Sequence, residues 1–421
     1  MIYKDAVLCA SLNNTCYDPN CEDERYPYLF EAIKLIGDDD FFEDKIIEKF
    51  HKSNSFWIVN QLSGILYLFG KDGREKSINA LQTRLNEYFT ALSKKKCNRY
   101  DENIIKCTEV IFIRLCEFHG INYLPEYAEN IGCVMKNSID EDIFLLDNLQ
   151  KYLSAKFSVK KVVNALKKKS EKSENIKYFL DKLLFTENSR EESSNQQKIN
   201  YQMLINAVNS TEDNILRSMA AKASLSCKDI EVLQAADRLK GEKDPKNIYA
   251  LVLFFIFVDY PYSIDDLIHI YNNTDDKPLK SICLESLSRY NNKYLHDLAL
   301  DNLRNKTLIK ESLGLLIKNF DNDYSFLQEV LEEYKENPDY DFHDLTLLVI
   351  KIFQDRKCKK GFEVLSYAYR KNQCSFCRTN LVEIMCKNEI ISNEILDECL
   401  YDSSEKTRSM VKDYLKNKNS A

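Results

Sequence analysis

The sequence predicts an all-α protein on two observations. Glycine and proline together supply only 16 of the 421 residues, although hairpin turns and phosphate-binding loops depend on them. Apolar residues also recur at helical spacing along most of the chain, which would place them on one face of each helix. Because 44% of the residues are hydrophobic, the chain can bury a core, and a disordered protein is excluded.

Helices are expected from one end of the chain to the other. Apolar stripes at helical spacing occur in residues 41–50, 53–68 and 103–118. The second of these ranges contains Trp57, the single tryptophan. The breaks between stripes are short and polar, as in residues 37–40, and they suit tight connections between neighbouring helices.

The longest apolar run is too short to cross a membrane. Residues 248–258 would rise about 16 Å as a helix, whereas the hydrocarbon core of a bilayer is about 30 Å thick. We therefore expect a buried helix there and no membrane partner. The N-terminus lacks the basic lead and apolar core of a secretion signal. Fourteen cysteines spread along a helical chain favour a reducing cytoplasm over a disulfide framework.

One segment differs from the rest. Residues 186–197 contain no apolar side chain large enough to anchor a core, and they follow a lysine-rich stretch. We expect a polar loop or linker there. It would separate an N-terminal helical region of degenerate repeats, residues 1–185, from a repeat array at residues 198–421. A long surface loop within one continuous array would fit this segment equally well.

The C-terminal half contains a repeat. A basic residue or histidine near the start of an apolar-periodic segment recurs at intervals of 30, 33, 35 and 30 residues. The aligned residues are Lys280, Lys310, His343, Arg378 and Arg408, with Arg217 in the same register two repeats earlier. A period of this length with two helices per unit predicts an α-solenoid of stacked antiparallel helix pairs, because a single pair cannot bury its apolar face.

The clearest of these motifs resembles the second helix of a HEAT repeat. The residues that carry the match are Asp276, Pro278, Leu279 and Lys280, followed by Ile215, Leu216, Arg217 and Ala220. The resemblance covers roughly residues 205–418, with degenerate continuation upstream. The aspartate of the family is absent from several repeats, and His343 stands in place of a basic residue. The resemblance implies binding of protein or nucleic acid along a concave face, and only rarely catalysis.

No enzyme motif is recognisable. No set of glycines has the spacing of a Walker or dinucleotide-binding loop, and the zinc-protease helix motif and the Gly-x-Ser-x-Gly motif of serine hydrolases are absent. We therefore expect no catalytic residue and no cofactor. His343 follows Asp341 and precedes Asp344, and such carboxylates could raise the pKa of a histidine. A histidine between acids is also ordinary sequence at a helix start, and we favour that interpretation.

Cys374 and Cys377 form a C-x-x-C motif. A redox role would require a strand–helix–strand context, and the surrounding sequence lacks strand signals. A zinc site would need two further ligands, for which Cys358 and Cys386 are nearest in sequence. Because fourteen cysteines in a helical chain make such spacings frequent by chance, we expect structural thiols and no metal site.

Residues 151–182 are the most strongly charged part of the chain. They contain ten lysines and three acidic residues, a local net charge of +7. The candidate contacts for a polyanion or an acidic partner are Lys160, Lys161, Lys167, Lys168 and Lys169. The alternative, which we favour, is a solvated helix face opposite an apolar stripe.

Together, these observations favour a non-enzymatic protein-binding scaffold, adaptor or inhibitor, for example a toxin-neutralising or defence-associated protein. A solenoid exposes a long concave surface, 25 tyrosines supply contact groups that are enriched at interfaces, and the net charge of −7 suits a basic partner. The alternative is a nucleic-acid-binding HEAT-like protein such as a DNA alkylation-repair glycosylase, which the net acidity disfavours. That alternative requires the basic residues at the repeat starts to line a continuous groove rather than lie in contacts between repeats.

Overall fold

The computed structural model describes residues 2–19, 21–22, 24–139, 146–192, 199–336 and 341–420. All the regular secondary structure in these ranges is helical: 24 α-helices and two short 3-10 helices. The prediction of an all-α protein is confirmed. The chain divides into two compact units, Met1–Ser194 and Asn195–Ala421.

The described residues of the first unit form ten α-helices. They are α1 (Ile2–Leu12), α2 (Tyr26–Ile36), α3 (Asp39–Lys52), α4 (Phe56–Lys71), α5 (Glu75–Ser93), α6 (Glu102–His119), α7 (Leu124–Lys136), α8 (Leu146–Phe157), α9 (Val159–Ser170) and α10 (Glu174–Glu192). Helix α4 is central, because it contacts α2, α3, α5 and α6. It buries residues on several sides, including the successive residues Gly64, Ile65 and Leu66, which is typical of a helix enclosed by its neighbours.

In the second unit, the part of the chain that the structure describes forms fourteen α-helices. They are α11 (Tyr201–Ala207), α12 (Asp213–Ser226), α13 (Asp229–Gly241), α14 (Pro245–Phe255), α15 (Asp265–Asn273), α16 (Lys277–Leu287), α17 (Lys293–Arg304), α18 (Ile309–Asn319), α19 (Tyr324–Tyr334), α20 (Phe342–Phe353), α21 (Phe362–Lys371), α22 (Ser375–Lys387), α23 (Asn393–Cys399) and α24 (Glu405–Ser420). From α14 to α24, each even-numbered helix contacts the next even-numbered helix and the helix that precedes it in the chain.

The aligned residues of the sequence repeat lie at equivalent places in this series. Each falls within the first four residues of α16, α18, α20, α22 or α24. Asp276 caps α16, since its Oδ1 accepts the N–H of Leu279 at 2.8 Å, and Asp341 caps α20 by accepting the N–H of His343 at 2.8 Å. These caps satisfy amide groups that have no partner inside the helix.

The longest apolar run forms the buried helix that the sequence predicts. Helix α14 contains Ala250–Phe255, all six of which are fully buried. The residues that flank this stretch are not buried in the same way. Asp244 caps the start of the helix, and Phe257, beyond its end, is 37% exposed. Within the described ranges, no helix has both the length and the apolar character needed to span a bilayer.

The structure differs from the sequence-based expectation at the proposed polar loop. Helix α10 continues to Glu192, so residues 186–192 have helical backbone rather than the conformation of a loop. Glutamate and arginine are good helix formers, and a missing apolar side chain removes packing without removing backbone hydrogen bonds. Residues 193–197, the remainder of the expected loop, lie outside the described residues, and the division between the units falls there, after Ser194.

Candidate functional site

A cavity of about 870 Å³ lies in the first unit. It lies between the start of α4 and one face of α6, with contributions from α8 and from the segment before α2. Its apolar wall consists of Phe56, Trp57, Val110, Ile113 and Tyr152. Its charged wall consists of Glu24, Lys106, Glu109, Arg114 and Glu117. Ser55, Asn60 and Asn103 complete the lining.

The sequence of α6 explains why this face is open. Asn103, Lys106, Val110, Ile113 and Glu117 follow one another at intervals of three and four residues, so they share one side of the helix. The opposite side carries the residues that α6 buries in the core: Ile105, Ile111, Phe112 and Leu115. A single amphipathic helix thus supplies part of the core and one wall of the cavity.

Arg114 anchors the charged wall. Its side chain is 7% exposed, and its Nη2 lies 2.9 Å from Oε1 of Glu24, while its Nη1 lies 3.4 Å from Oε2 of Glu117. The guanidinium also lies 4.5 Å from the ring centroid of Tyr26. Two carboxylates therefore surround one cation, which leaves a local excess of negative charge.

A glycine of α4 makes room for Tyr26. A Cβ atom at Gly64 would lie 2.3 Å from Cγ of Tyr26, far inside van der Waals contact, so α2 and α4 can approach this closely only with glycine at that position. The close approach sets the tyrosine ring against Arg114. Gly64 does not line the cavity, but it allows the contact between Tyr26 and Arg114 that helps to position the charged wall.

Glu109 differs from Glu24 and Glu117, the other two carboxylates of the cavity, which pair with Arg114. It is half-buried, and within the described part of the chain its carboxylate makes no hydrogen bond or ion pair. Burial raises the pKa of Glu109 to about 7, and the positive charge of Lys106 partly opposes this. Lys106 itself pairs with Glu102 at 2.6 Å. A cation that entered the cavity would relieve the unfavourable burial of the Glu109 charge.

The five candidate lysines lie elsewhere in the first unit. Lys160, Lys161, Lys167, Lys168 and Lys169 are exposed on α9, opposite Val162 and Leu166, which are 4% and 0% exposed. Their ammonium groups have no ion pair among the described residues. Four of them, all but Lys169, fall within about 120° of the helix circumference at 100° per residue. None of the five lines the cavity.

The basic residues at the repeat starts are engaged in local contacts of the second unit. Arg217 binds Asp213 and Glu285 at 2.9 and 2.8 Å. Other contacts of this kind join Lys310 to Asp344, Lys280 to the ring of Tyr271, Arg378 to Glu398, and Arg408 to the backbone oxygens of Asp402 and Ser403. Most of these partners come from a neighbouring helix, so these residues stabilise contacts between helices.

The C-x-x-C motif lies beside His343. The Sγ atom of Cys377 is 3.4 Å from Nδ1 of His343, and the ligand atoms of His343, Cys374 and Cys377 all lie within 4.8 Å of one another. Among the described residues, neither Cys358 nor Cys386, the nearest cysteines in sequence, belongs to this group. Both carboxylates that flank His343 are occupied, because Asp341 accepts its backbone N–H and Asp344 pairs with Lys310.

Sequence reasoning did not identify the cavity, because its residues come from segments far apart in the chain. Glu24 and Arg114 are 90 residues apart, and no local motif links them. The single tryptophan was the only available signal, and the sequence places it on a helix without indicating what it faces. In comparisons with protein-family models, with curated proteins and with solved structures, the chain matches none of them.

Proposed function

We propose that this chain is a non-enzymatic protein-binding adaptor or inhibitor that receives a basic segment of its partner in the cavity of the first unit. The observation that carries the proposal is Glu109, a half-buried carboxylate that has no ion pair among the described residues and lines the same cavity as the aromatic side chains of Phe56 and Trp57. An arginine or lysine of the partner would supply the missing counter-charge. Its apolar stem would pack on the aromatic wall.

The energetics favour a charged side chain over a neutral one. A hydrogen bond to a charged group contributes about 1.5–3 kcal/mol, and a cation over an aromatic ring adds about 0.5–2 kcal/mol. The cavity offers both kinds of contact, together with the excess carboxylate around Arg114. The net charge of −7 would also draw a basic partner toward the protein.

We further propose that the second unit is an α-solenoid of HEAT-like helix pairs. Support comes from the serial contacts of α14, α16, α18, α20, α22 and α24 and from the equivalent placement of the aligned residues at their starts. In such an array each repeat contacts its neighbours and leaves an extended surface. That surface would add contact area for the same protein partner.

The test uses the single tryptophan as a reporter of the cavity. The probes are a short peptide of alternating arginine and leucine and a matched peptide with neutral citrulline in place of arginine. We expect the arginine peptide to change the emission of Trp57 and to bind at least about ten-fold more tightly, a difference of about 1.4 kcal/mol. The variant Glu109→Gln should remove most of that preference, whereas Glu75→Gln, an exposed glutamate of the same unit, should keep it.

Equal binding of the two peptides by the wild-type chain would contradict a cation-accepting cavity. An unchanged preference in Glu109→Gln would contradict the role of Glu109. Once the preference is established, capture from lysate with and without nuclease identifies the natural partner as a protein or a nucleic acid.

The exposed lysines of α9 favour a second candidate function, the binding of a polyanion such as nucleic acid. The measurement is binding of a labelled DNA duplex over a series of salt concentrations, because neutralised phosphates make affinity fall steeply as salt rises. A variant with Lys160, Lys161, Lys167 and Lys168 changed to glutamine should lose this binding. Equal affinity of that variant would place the contact elsewhere.

A further inference from the structure

The geometry points to a transition-metal site in the second unit, in which His343, Cys374 and Cys377 bind one zinc ion. The proposal is independent of the cavity in the first unit. It rests on the convergence of one imidazole nitrogen and two thiol sulfurs within 4.8 Å, a donor set that zinc prefers.

Two neighbouring helices build this cluster. Cys374 is the N-cap residue of α22, and Cys377 is the third residue of that helix, so their side chains emerge one turn apart on the same side. Helix α20 packs against α22 and presents His343 as its second residue. The loop before α22 is held in place, because the backbone N–H of Cys374 donates to Oδ1 of Asn372 at 2.8 Å.

The distances fit a tetrahedral ion. With Zn–S near 2.3 Å and Zn–N near 2.0 Å, neighbouring sulfur and nitrogen ligands are about 3.5 Å apart. The observed separation between Cys377 Sγ and His343 Nδ1 is 3.4 Å. The Sγ atom of Cys374 lies within 4.8 Å of both, and an approach of about 1 Å would bring it to the sulfur–sulfur spacing of about 3.8 Å at such an ion. The fourth position would belong to water or to another donor.

Charge balance favours a metal at this place. Cys374 and Cys377 are both fully buried, and two buried thiolates without a counter-ion would be strongly disfavoured. A divalent cation balances them, with the imidazole as a neutral third ligand.

The same burial argues against two other roles for this motif. A nucleophilic cysteine needs a path for its substrate, and the sulfur-bearing residues have no exposed surface. A redox dithiol must likewise meet its partner disulfide directly. Only half-buried His343 reaches the surface, which suits a structural ion that joins α20 to α22.

The first experiment measures metal in the full chain, purified under reducing conditions and supplied with zinc, by elemental analysis. We expect about one zinc ion per chain in the wild type and loss of stoichiometric binding in His343→Ala, Cys374→Ala and Cys377→Ala. The control is Cys386→Ala, a buried cysteine on the same helix outside the cluster, which should retain the ion. Cobalt in place of zinc should give thiolate-to-metal charge-transfer absorption in the wild type and in Cys386→Ala, and this absorption should be lost in Cys374→Ala and Cys377→Ala.

A second measurement keeps the proposal testable if a cysteine variant fails to fold. Added zinc should raise the unfolding temperature of the wild type, because the folded state alone holds the three ligands together. His343→Ala, which changes a half-buried residue, should lose that shift. Absence of both stoichiometric zinc and the cobalt absorption in the reduced wild-type chain would overturn the proposal, as would a zinc-dependent shift that persists in His343→Ala.

Discussion

Charged side chains have different surroundings in the two units. In the second unit, several basic residues at the helix starts pair with a carboxylate of another helix, as Arg217 does with Glu285 and Lys310 with Asp344. In the first unit, Arg114 is paired in a similar way, but Glu109 faces the cavity without an ion pair among the described residues. The helix packing of the second unit brings these two cations to carboxylates, whereas the packing around α4 and α6 leaves an opening. The unit with the opening therefore contains a carboxylate that has no ion pair in the described part of the chain.

The largest expected effect tests whether the stability of the second unit depends on the packing of α18 against its neighbouring helices. Leu315 of α18 is fully buried, and Leu315→Asp would place an unpaired charge in the core. We expect a loss of about 4 kcal/mol or more in the free energy of unfolding, seen as a lower melting temperature by circular dichroism. Lys318→Asp, on the exposed side of the same helix, should change the melt little. An unchanged melt for Leu315→Asp would contradict the assignment of α18 to the core.

A pair of glycine substitutions should shift the two units in opposite directions. A Cβ atom at Gly132 of α7 would lie 2.2 Å from the backbone oxygen of Asn175 in α10, whereas one at Gly314 of α18 would meet nothing within 4 Å. Gly132→Ala should therefore destabilise the first unit by about 2–3 kcal/mol. Gly314→Ala should stabilise the second by about 0.5–1 kcal/mol. The measurement is the urea midpoint of each variant, and shifts of the same sign would count against the close contact of α7 with α10.

A further effect concerns pH and isolates Glu109. Because burial raises the pKa of Glu109 to about 7 above the unfolded value of about 4.3, the folded state binds the proton more tightly between these values. The contribution of Glu109 to stability is therefore present below pH 4 and falls as pH rises toward 7. Because Glu109 is only half-buried, solvent screening should reduce the effect to about 1–2 kcal/mol. Glu109→Gln should be more stable than the wild type at pH 8 and equal to it at pH 4. An identical pH dependence in the two proteins would show that the carboxylate is well solvated.

Local sequence patterns predicted the elements whose causes are local. Asp276 and Pro278 predict the start of α16, and the apolar run at residues 248–258 predicts a buried helix, because caps and apolar spacing act over a few residues. The alignment on Lys280, Lys310 and Arg378 placed the helix starts in register. The helical backbone of residues 186–192 was not predicted, because the polar composition of this segment also suits a loop.

Sites made by packing could not be predicted in this way. His343 meets Cys377 only because α20 lies against α22, and the two residues are 34 positions apart. Glu24 and Arg114 meet across an even longer interval. In the sequence, the histidine is most easily interpreted with its neighbouring acids, although in the fold those carboxylates bind other groups. A search for ligand types one repeat length apart is the signal that could have linked His343 to the cysteines.

The burial of α14 has a consequence for how this chain can be made or shortened. Its fully buried stretch, Ala250–Phe255, is covered by α11, α12 and α13, which precede it, and by α16, which follows it. During synthesis, this apolar helix leaves the ribosome before α16 exists to cover it, so the nascent chain passes through an aggregation-prone stage. In a truncated chain that ends before Leu287, the last residue of α16, the side of α14 that α16 covers would remain exposed. Expression of the second unit should therefore begin ahead of α11 and continue beyond α16.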